Sequence, residues 1–178
     1  MPTLTGRVFF ISCLLVFSAP VFALNNAPAV PVGILTLKPY PSPVVALKDI
    51  DGQHFNLKET KGHWVFVHFW ASWCGPCRKE MPAIQSMWNK LQKEGLKIAL
   101  INTSEDEDTI FEFLGVYAPN IRALMDTDGR ITDQWRPRGL PATYLVAPNG
   151  EVRYQALGGR EWGSPPYLNF LRQLLKQQ

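Results

Sequence analysis

Apolar positions along the chain change their spacing several times, and each spacing predicts a different element. Residues 64–70 are apolar almost without a break, the pattern of a strand buried on both faces. Over 75–94 the period lengthens: Met81, Ile84, Trp88 and Leu91 recur every three or four residues, which places them on one helix face. Pro82 lies inside that stretch and is expected to kink it, and Gly95 ends it. Residues 96–101 are apolar again. A strand, a helix and a strand of these lengths predict a βαβ unit with parallel strands and a right-handed crossover.

Shorter runs complete the pattern. Residues 44–47 and 54–57 alternate on either side of Asp51-Gly52, a hairpin signal. Ser104 and Glu107 have capping-box spacing and open a second helix to about Tyr117; the acids at 105–108 are read as answering its dipole rather than holding a metal. Asp126-Thr127-Asp128-Gly129 resembles the start of a calcium loop, but Arg130 stands where the third ligand belongs, so it is read as a turn. A short helical stretch follows at 131–135. Residues 143–146 and 152–156 then pair across Asn149-Gly150. Ser164-Pro165 opens a last helix carried by Leu168, Leu171 and Leu175.

The amino-terminal end reads differently. Arg7 precedes an apolar stretch at 8–22, and Val21-Phe22-Ala23 offers a signal-peptidase site. Residues 1–23 are therefore expected to be a signal peptide; an uncleaved membrane anchor is the second reading and a lipoprotein box at Cys13 the third. All three put the folded part in the periplasm or its equivalent. Prolines 28, 31, 39, 41 and 43 make 24–43 an expected extended linker, with the folded domain at 44–178.

Length and composition fit one globular domain: 178 residues, 46% hydrophobic and 19% charged. The net charge of +3 comes with no basic run interleaved with aromatics, so a nucleic-acid partner is set aside. Three cysteines are present, and loss of the leader leaves only Cys74 and Cys77. So small a loop adds little stability as a cross-link, which points to working chemistry rather than scaffolding.

Cys74-Gly75-Pro76-Cys77 falls at the predicted start of a helix. Unsatisfied amides there favour thiolate over thiol, lowering the pKa of Cys74 and making it the nucleophile. Cys77, one turn along, can attack the mixed disulfide and release product. Half of a zinc site is the first alternative, but the chain has only His54, His63 and His68 as histidines. Strand alternation puts residues 63 and 68 on opposite faces. An inert structural disulfide is the second. No metal and no cofactor is assigned.

The run Trp64-Val65-Phe66-Val67-His68-Phe69-Trp70-Ala71-Ser72-Trp73-Cys74-Gly75-Pro76-Cys77-Arg78-Lys79-Glu80-Met81-Pro82 resembles the signature of the TlpA/ResA/DsbE-like branch of the thioredoxin superfamily. Leu47-Lys48-Asp49-Ile50-Asp51-Gly52 and Gly139-Leu140-Pro141-Ala142-Thr143 match it too. The resemblance covers roughly 44–175. It implies an α/β thioredoxin fold with an N-terminal β-hairpin and a helix–strand insertion at about 103–126. It further implies an extracytoplasmic thiol–disulfide oxidoreductase, usually a reductase. Its partners would be disulfide-containing extracytoplasmic proteins and a membrane thiol electron donor, with apocytochrome c or copper-site cysteines as targets.

The resemblance also carries residue roles. Pro141 matches the cis-proline that lies against the active-site disulfide. Glu80 matches an acid that exchanges protons with Cys77. His68 departs from the pattern, since relatives place Asp or Asn there; it is read first as a core histidine satisfied by local hydrogen bonds, and second as a group tuning proton transfer to Cys77. Trp70 and Trp73 are assigned to packing and the active-site surface, and Arg136 and Arg138 to steering acidic partners or to solvent.

Two other activities stay open. A disulfide oxidase or isomerase would use the same cysteines, although Gly75-Pro76 matches reducing thioredoxins. A metal-binding assembly chaperone would hold copper between the cysteines, but it would want a further histidine and none follows residue 68. Peroxidase is disfavoured because the expected signature before the cysteine is absent.

Overall fold

The computed structural model describes Met1 and residues 28–177. The expected cleavage or anchoring of 1–23 and the lipoprotein box at Cys13 fall on residues outside those described.

Among the described residues, eight strands and four α-helices follow in the order β1 (Ile34–Pro41), β2 (Ala46–Lys48), β3 (His54–Asn56), β4 (Val65–Trp70), α1 (Gly75–Leu91), β5 (Lys97–Thr103), α2 (Glu107–Tyr117), β6 (Ala123–Asp126), α3 (Arg130–Trp135), β7 (Ala142–Val146), β8 (Glu151–Leu157) and α4 (Pro165–Leu175). Six strands form one sheet in the order β1-β8-β7-β4-β5-β6, and β2 and β3 form the expected hairpin. β4, β5 and β6 run parallel, as the βαβ pattern requires. β7 lies antiparallel to both β4 and β8. α1 continues through Pro82. α2 and β6 supply the insertion, at the sheet edge beyond β5.

Strand alternation divides the core in two. Phe66 and Trp70 of β4 join Met81, Ile84, Met87 and Leu91 of α1 on one side of the sheet. Val65, Val67 and Phe69 join Ile131 and Trp135 of α3 on the other. Each large apolar side chain so buried stabilises the fold by about 1.5–3 kcal/mol. His68 shares the parity of Phe66 and Trp70, which turns a polar ring towards α1.

Two expectations are corrected. Residues 34–41 are not linker: they form β1, the edge strand, antiparallel to β8 with Ile34 opposite Ala156 and Pro41 opposite Glu151. The register shifts between Thr36 and Tyr40, and Pro39 sits in that irregularity, where a missing N–H is tolerated on an edge. The folded part therefore begins before residue 44. The second correction concerns α2, whose N-cap is Asp106, accepting from Thr109 N–H at 2.8 Å. Ser104 instead takes a left-handed φ of 60°. Asp126 accepts from the N–H groups of Ile131 and Thr132, at 3.0 and 2.7 Å, and from the Thr132 hydroxyl, so its carboxylate is committed to the start of α3, as a turn residue.

Candidate active site

β4 delivers the chain into a short loop, residues 71–74, and α1 begins directly after it. Cys74 is the N-cap of α1, and its Sγ accepts the Cys77 N–H at 3.2 Å. Cys74 and Cys77 are joined in a disulfide. Cys74 keeps 5% of its surface exposed while Cys77 has none. An incoming group can therefore reach only the first sulfur, and when the bond opens the amides at the helix start stabilise a thiolate there.

The loop itself is tied down on both sides. Ser72 donates its N–H to Glu105 at 2.7 Å and its hydroxyl to the same carboxylate, while Arg78 of α1 donates to the Ser72 carbonyl at 3.0 Å. Asn102 holds the Glu105 carboxylate from below at 2.6 Å. Trp73, between the pinned serine and Cys74, stands 67% exposed, whereas Trp70 is wholly buried.

The Leu140–Pro141 peptide is cis. Ala142 pairs with Phe69, so Pro141 lies at the sheet end where β4 runs out towards Cys74. Arg136 and Arg138 are exposed in the loop leading to it. His63 lies in the turn before β4, at the far end of the strand from the cysteines, so it and His68 do not form a ligand pair.

Glu80 is buried on α1, three residues beyond Cys77. Its Oε1 accepts the Arg160 N–H at 3.0 Å and the Trp162 Nε1–H. Burial pushes its pKa up to about 8 despite those donors and the nearby Arg160 charge. Oε2 faces His68 Nε2 at 4.0 Å. The other ring nitrogen, Nδ1, is 2.9 Å from Thr143 Oγ1, and burial lowers the His68 pKa to about 3. At neutral pH Glu80 thus holds a proton and His68 carries none in excess. The pair is not an ion pair. A cleft of about 340 Å³, lined by Pro76, Lys79, Glu80, Gly159, Arg160 and Glu161, opens beside this carboxyl.

Glu105, Arg160 and Trp162 were not assigned from the sequence. Glu105 stands in the acid cluster attributed to the helix dipole, and nothing in the pattern around Trp162 marks it as a partner of Glu80.

Residues 40–155 match the AhpC/TSA family. The chain belongs to that family. A similar protein is the thiol-disulfide oxidoreductase ResA of Bacillus subtilis, 32% identical over 111 residues, which are 62% of either chain. ResA of Halalkalibacterium halodurans is 31% identical over 113 residues, 64% of each. The chain thus spans a little under two thirds of those relatives' length. Among solved structures, the Chlorobium tepidum protein assigned as thiol:disulfide interchange protein DsbE is 27% identical with a TM-score of 0.67, covering 80% of this chain and 98% of that one. StoA from Bacillus subtilis, at 24% identity and a TM-score of 0.59 over 68% of this chain and 91% of its own, shares the fold. The thioredoxin fold and the resemblance drawn from the residues around Cys74 are both borne out.

Proposed function

We propose that the protein is an extracytoplasmic thiol–disulfide oxidoreductase that reduces disulfides in partner proteins. The observation that carries this reading is the disulfide at the start of α1, with Cys74 keeping a little exposed surface, Cys77 sealed and a proton-holding Glu80 one turn further on.

In the dithiol state the Cys74 thiolate attacks one sulfur of a partner disulfide, forming a mixed disulfide and releasing the partner's other sulfur as thiolate. Cys77 passes its proton to the Glu80 carboxylate, and the new thiolate attacks Cys74 Sγ. The Cys74–Cys77 bond forms, the second partner sulfur leaves, and two electrons have passed to the partner. Glu80 ends with a proton, consistent with its raised pKa beside the closed disulfide. Pro141, at the same sheet end, offers backbone to the bound partner. The resemblance drawn from the sequence and the Gly75-Pro76 dipeptide support the reducing direction.

The leader reading of residues 1–23 supports an extracytoplasmic setting. An oxidising compartment requires a thiol donor to restore the dithiol, and a membrane protein fills that role. Cysteines of apocytochrome c or of a copper site are the targets that the resemblance favours. Cys77→Ser tests the mechanism: Cys74 then retains its partners as mixed disulfides, recoverable from the cell envelope. Absence of any adduct, alongside a working wild-type exchange assay, overturns it.

A further inference from the structure

The proposed mechanism leaves the buried ring of His68 unused. His68 has no exposed surface, and its Nε2 has no hydrogen-bond partner. The same is true of Glu80 Oε2. These two atoms, one from β4 and one from α1, face each other at 4.0 Å. Closing that gap by about 1 Å makes a hydrogen bond, and two unpartnered buried atoms of complementary kind favour the approach.

The proton position follows from what surrounds them. Glu80 Oε1 already accepts two N–H donors, Arg160 N and Trp162 Nε1, so the proton of the neutral carboxyl sits on Oε2, towards the ring. A lone pair on His68 Nε2 would receive it. That requires the hydrogen of the neutral imidazole on Nδ1, where Thr143 Oγ1 accepts it at 2.9 Å. When Glu80 is ionised the need reverses: Oε2 then wants a donor. The other neutral tautomer supplies one from Nε2, and the Thr143 hydroxyl turns to donate to Nδ1. A hydroxyl serves either way.

We propose that His68 is a positioning residue for Glu80, giving Oε2 a hydrogen-bond partner in both protonation states by exchanging neutral tautomers against Thr143. The inference rests on Glu80 being the proton acceptor for Cys77. Each exchange takes a proton off one ring nitrogen and returns one to the other through water, so the ring's proton count is unchanged and the net transfer remains the one between Cys77 and Glu80.

Neither end state places a charge on the ring. Phe66 of β4 stacks on it with ring centroids 5.7 Å apart, and β7 faces it with the Thr143 hydroxyl. On the Glu80 side, α1 presents Cys77, and the segment after β8 presents the Arg160 amide and the charges of Arg160 and Glu161. The Arg160 guanidinium is itself turned to the carbonyls of Gly33, Leu157 and Gly159. A cationic imidazole is opposed by burial. Both neutral tautomers avoid that cost, and between them they meet the changing demand of Oε2.

Ring-nitrogen NMR on the oxidised wild-type protein labelled with ¹⁵N-histidine reads the tautomer without a substitution. Between about pH 5 and pH 9, His68 is expected to pass from the Nδ1–H to the Nε2–H form as the Glu80 carboxyl, followed by ¹³C, ionises. In Glu80→Gln the passage is absent. One tautomer throughout, while Glu80 titrates, overturns the inference, as does the same passage in Glu80→Gln.

Kinetics separate this inference from the reading beneath it. The rate of the resolving step should rise with pH through a Glu80-dependent inflection. His68→Asn, too short to reach Oε2, leaves the carboxylate without a donor and moves the inflection up by at least one pH unit, slowing the step about tenfold below it. His68→Gln, whose amide can donate or accept, restores the wild-type position. An inflection lost in Glu80→Gln but unmoved in His68→Asn overturns the role of His68 alone. One that persists in Glu80→Gln overturns both.

Discussion

Glu105 accepts a hydrogen bond from each donor of Ser72, a residue 33 positions earlier: the N–H at 2.7 Å and the hydroxyl. The insertion element thereby holds the loop that presents Trp73 and Cys74. Hydrogen bonds to a charged acceptor contribute about 1.5–3 kcal/mol. Glu105→Ala should lower stability to urea by an amount in that range and speed hydrogen exchange at the Ser72 amide at least tenfold. Unchanged exchange at Ser72 would show that the carboxylate does not hold the loop.

The buried pair predicts the pH dependence of stability. Folding raises the Glu80 pKa from 4.5 to about 8, so between those values the folded state binds the extra proton and stability falls as pH rises. Folding lowers the His68 pKa from 6.5 to about 3; there the unfolded state binds the extra proton, and stability rises with pH. The two slopes, each on the order of 1 kcal/mol per pH unit, oppose each other where they overlap, between 4.5 and 6.5. Denaturant titrations of the oxidised protein should show a plateau there, a fall on the alkaline side and a fall on the acid side. Glu80→Gln should remove the alkaline limb and His68→Asn the acid one.

Much of this was legible in the sequence, for a physical reason. β4, α1 and β5 announce themselves because their apolar periods are local and their burial is complete. Cys74 and Cys77 carry their chemistry in their spacing. β1 was hidden because its prolines read as linker, and only the partner strand β8, more than a hundred residues later, gives them an edge to occupy. The hydrogen bonds from Ser72 to Glu105 and from Trp162 to Glu80 also join residues far apart in sequence, 33 and 82 positions. His68 was visible as a departure from the family pattern, yet Glu80 and Thr143 meet it only across the fold.

Trp162 offers a test of the Glu80 environment from its other side. Its indole N–H donates to Oε1 and holds the Glu80 pKa below what burial alone would set. Trp162→Phe keeps an aromatic ring against Phe66, now at 4.8 Å between centroids, but loses the donor. The alkaline fall in stability should move to higher pH. Movement to lower pH, or none, would contradict this role for the indole.

Trp73 of the loop and Trp70 at the end of β4 should behave oppositely. Trp73 is 67% exposed, so Trp73→Ala should change stability by less than about 0.5 kcal/mol while slowing exchange with protein disulfides more than with small ones. Trp70 is wholly buried, with its ring 4.7 Å from that of Phe113, and Trp70→Ala should cost about 3–5 kcal/mol. Urea unfolding and paired exchange assays on the two variants decide it.

The central claim is that Cys74 and Cys77 work as a reducing pair. Equilibrating the folded protein with defined thiol–disulfide buffers and counting free thiols by mass gives the reduction potential directly. A value near the thioredoxin end of the range, about −270 mV, is predicted; a value near −120 mV, about that of a dedicated oxidant, or a disulfide that fails to equilibrate, would contradict it.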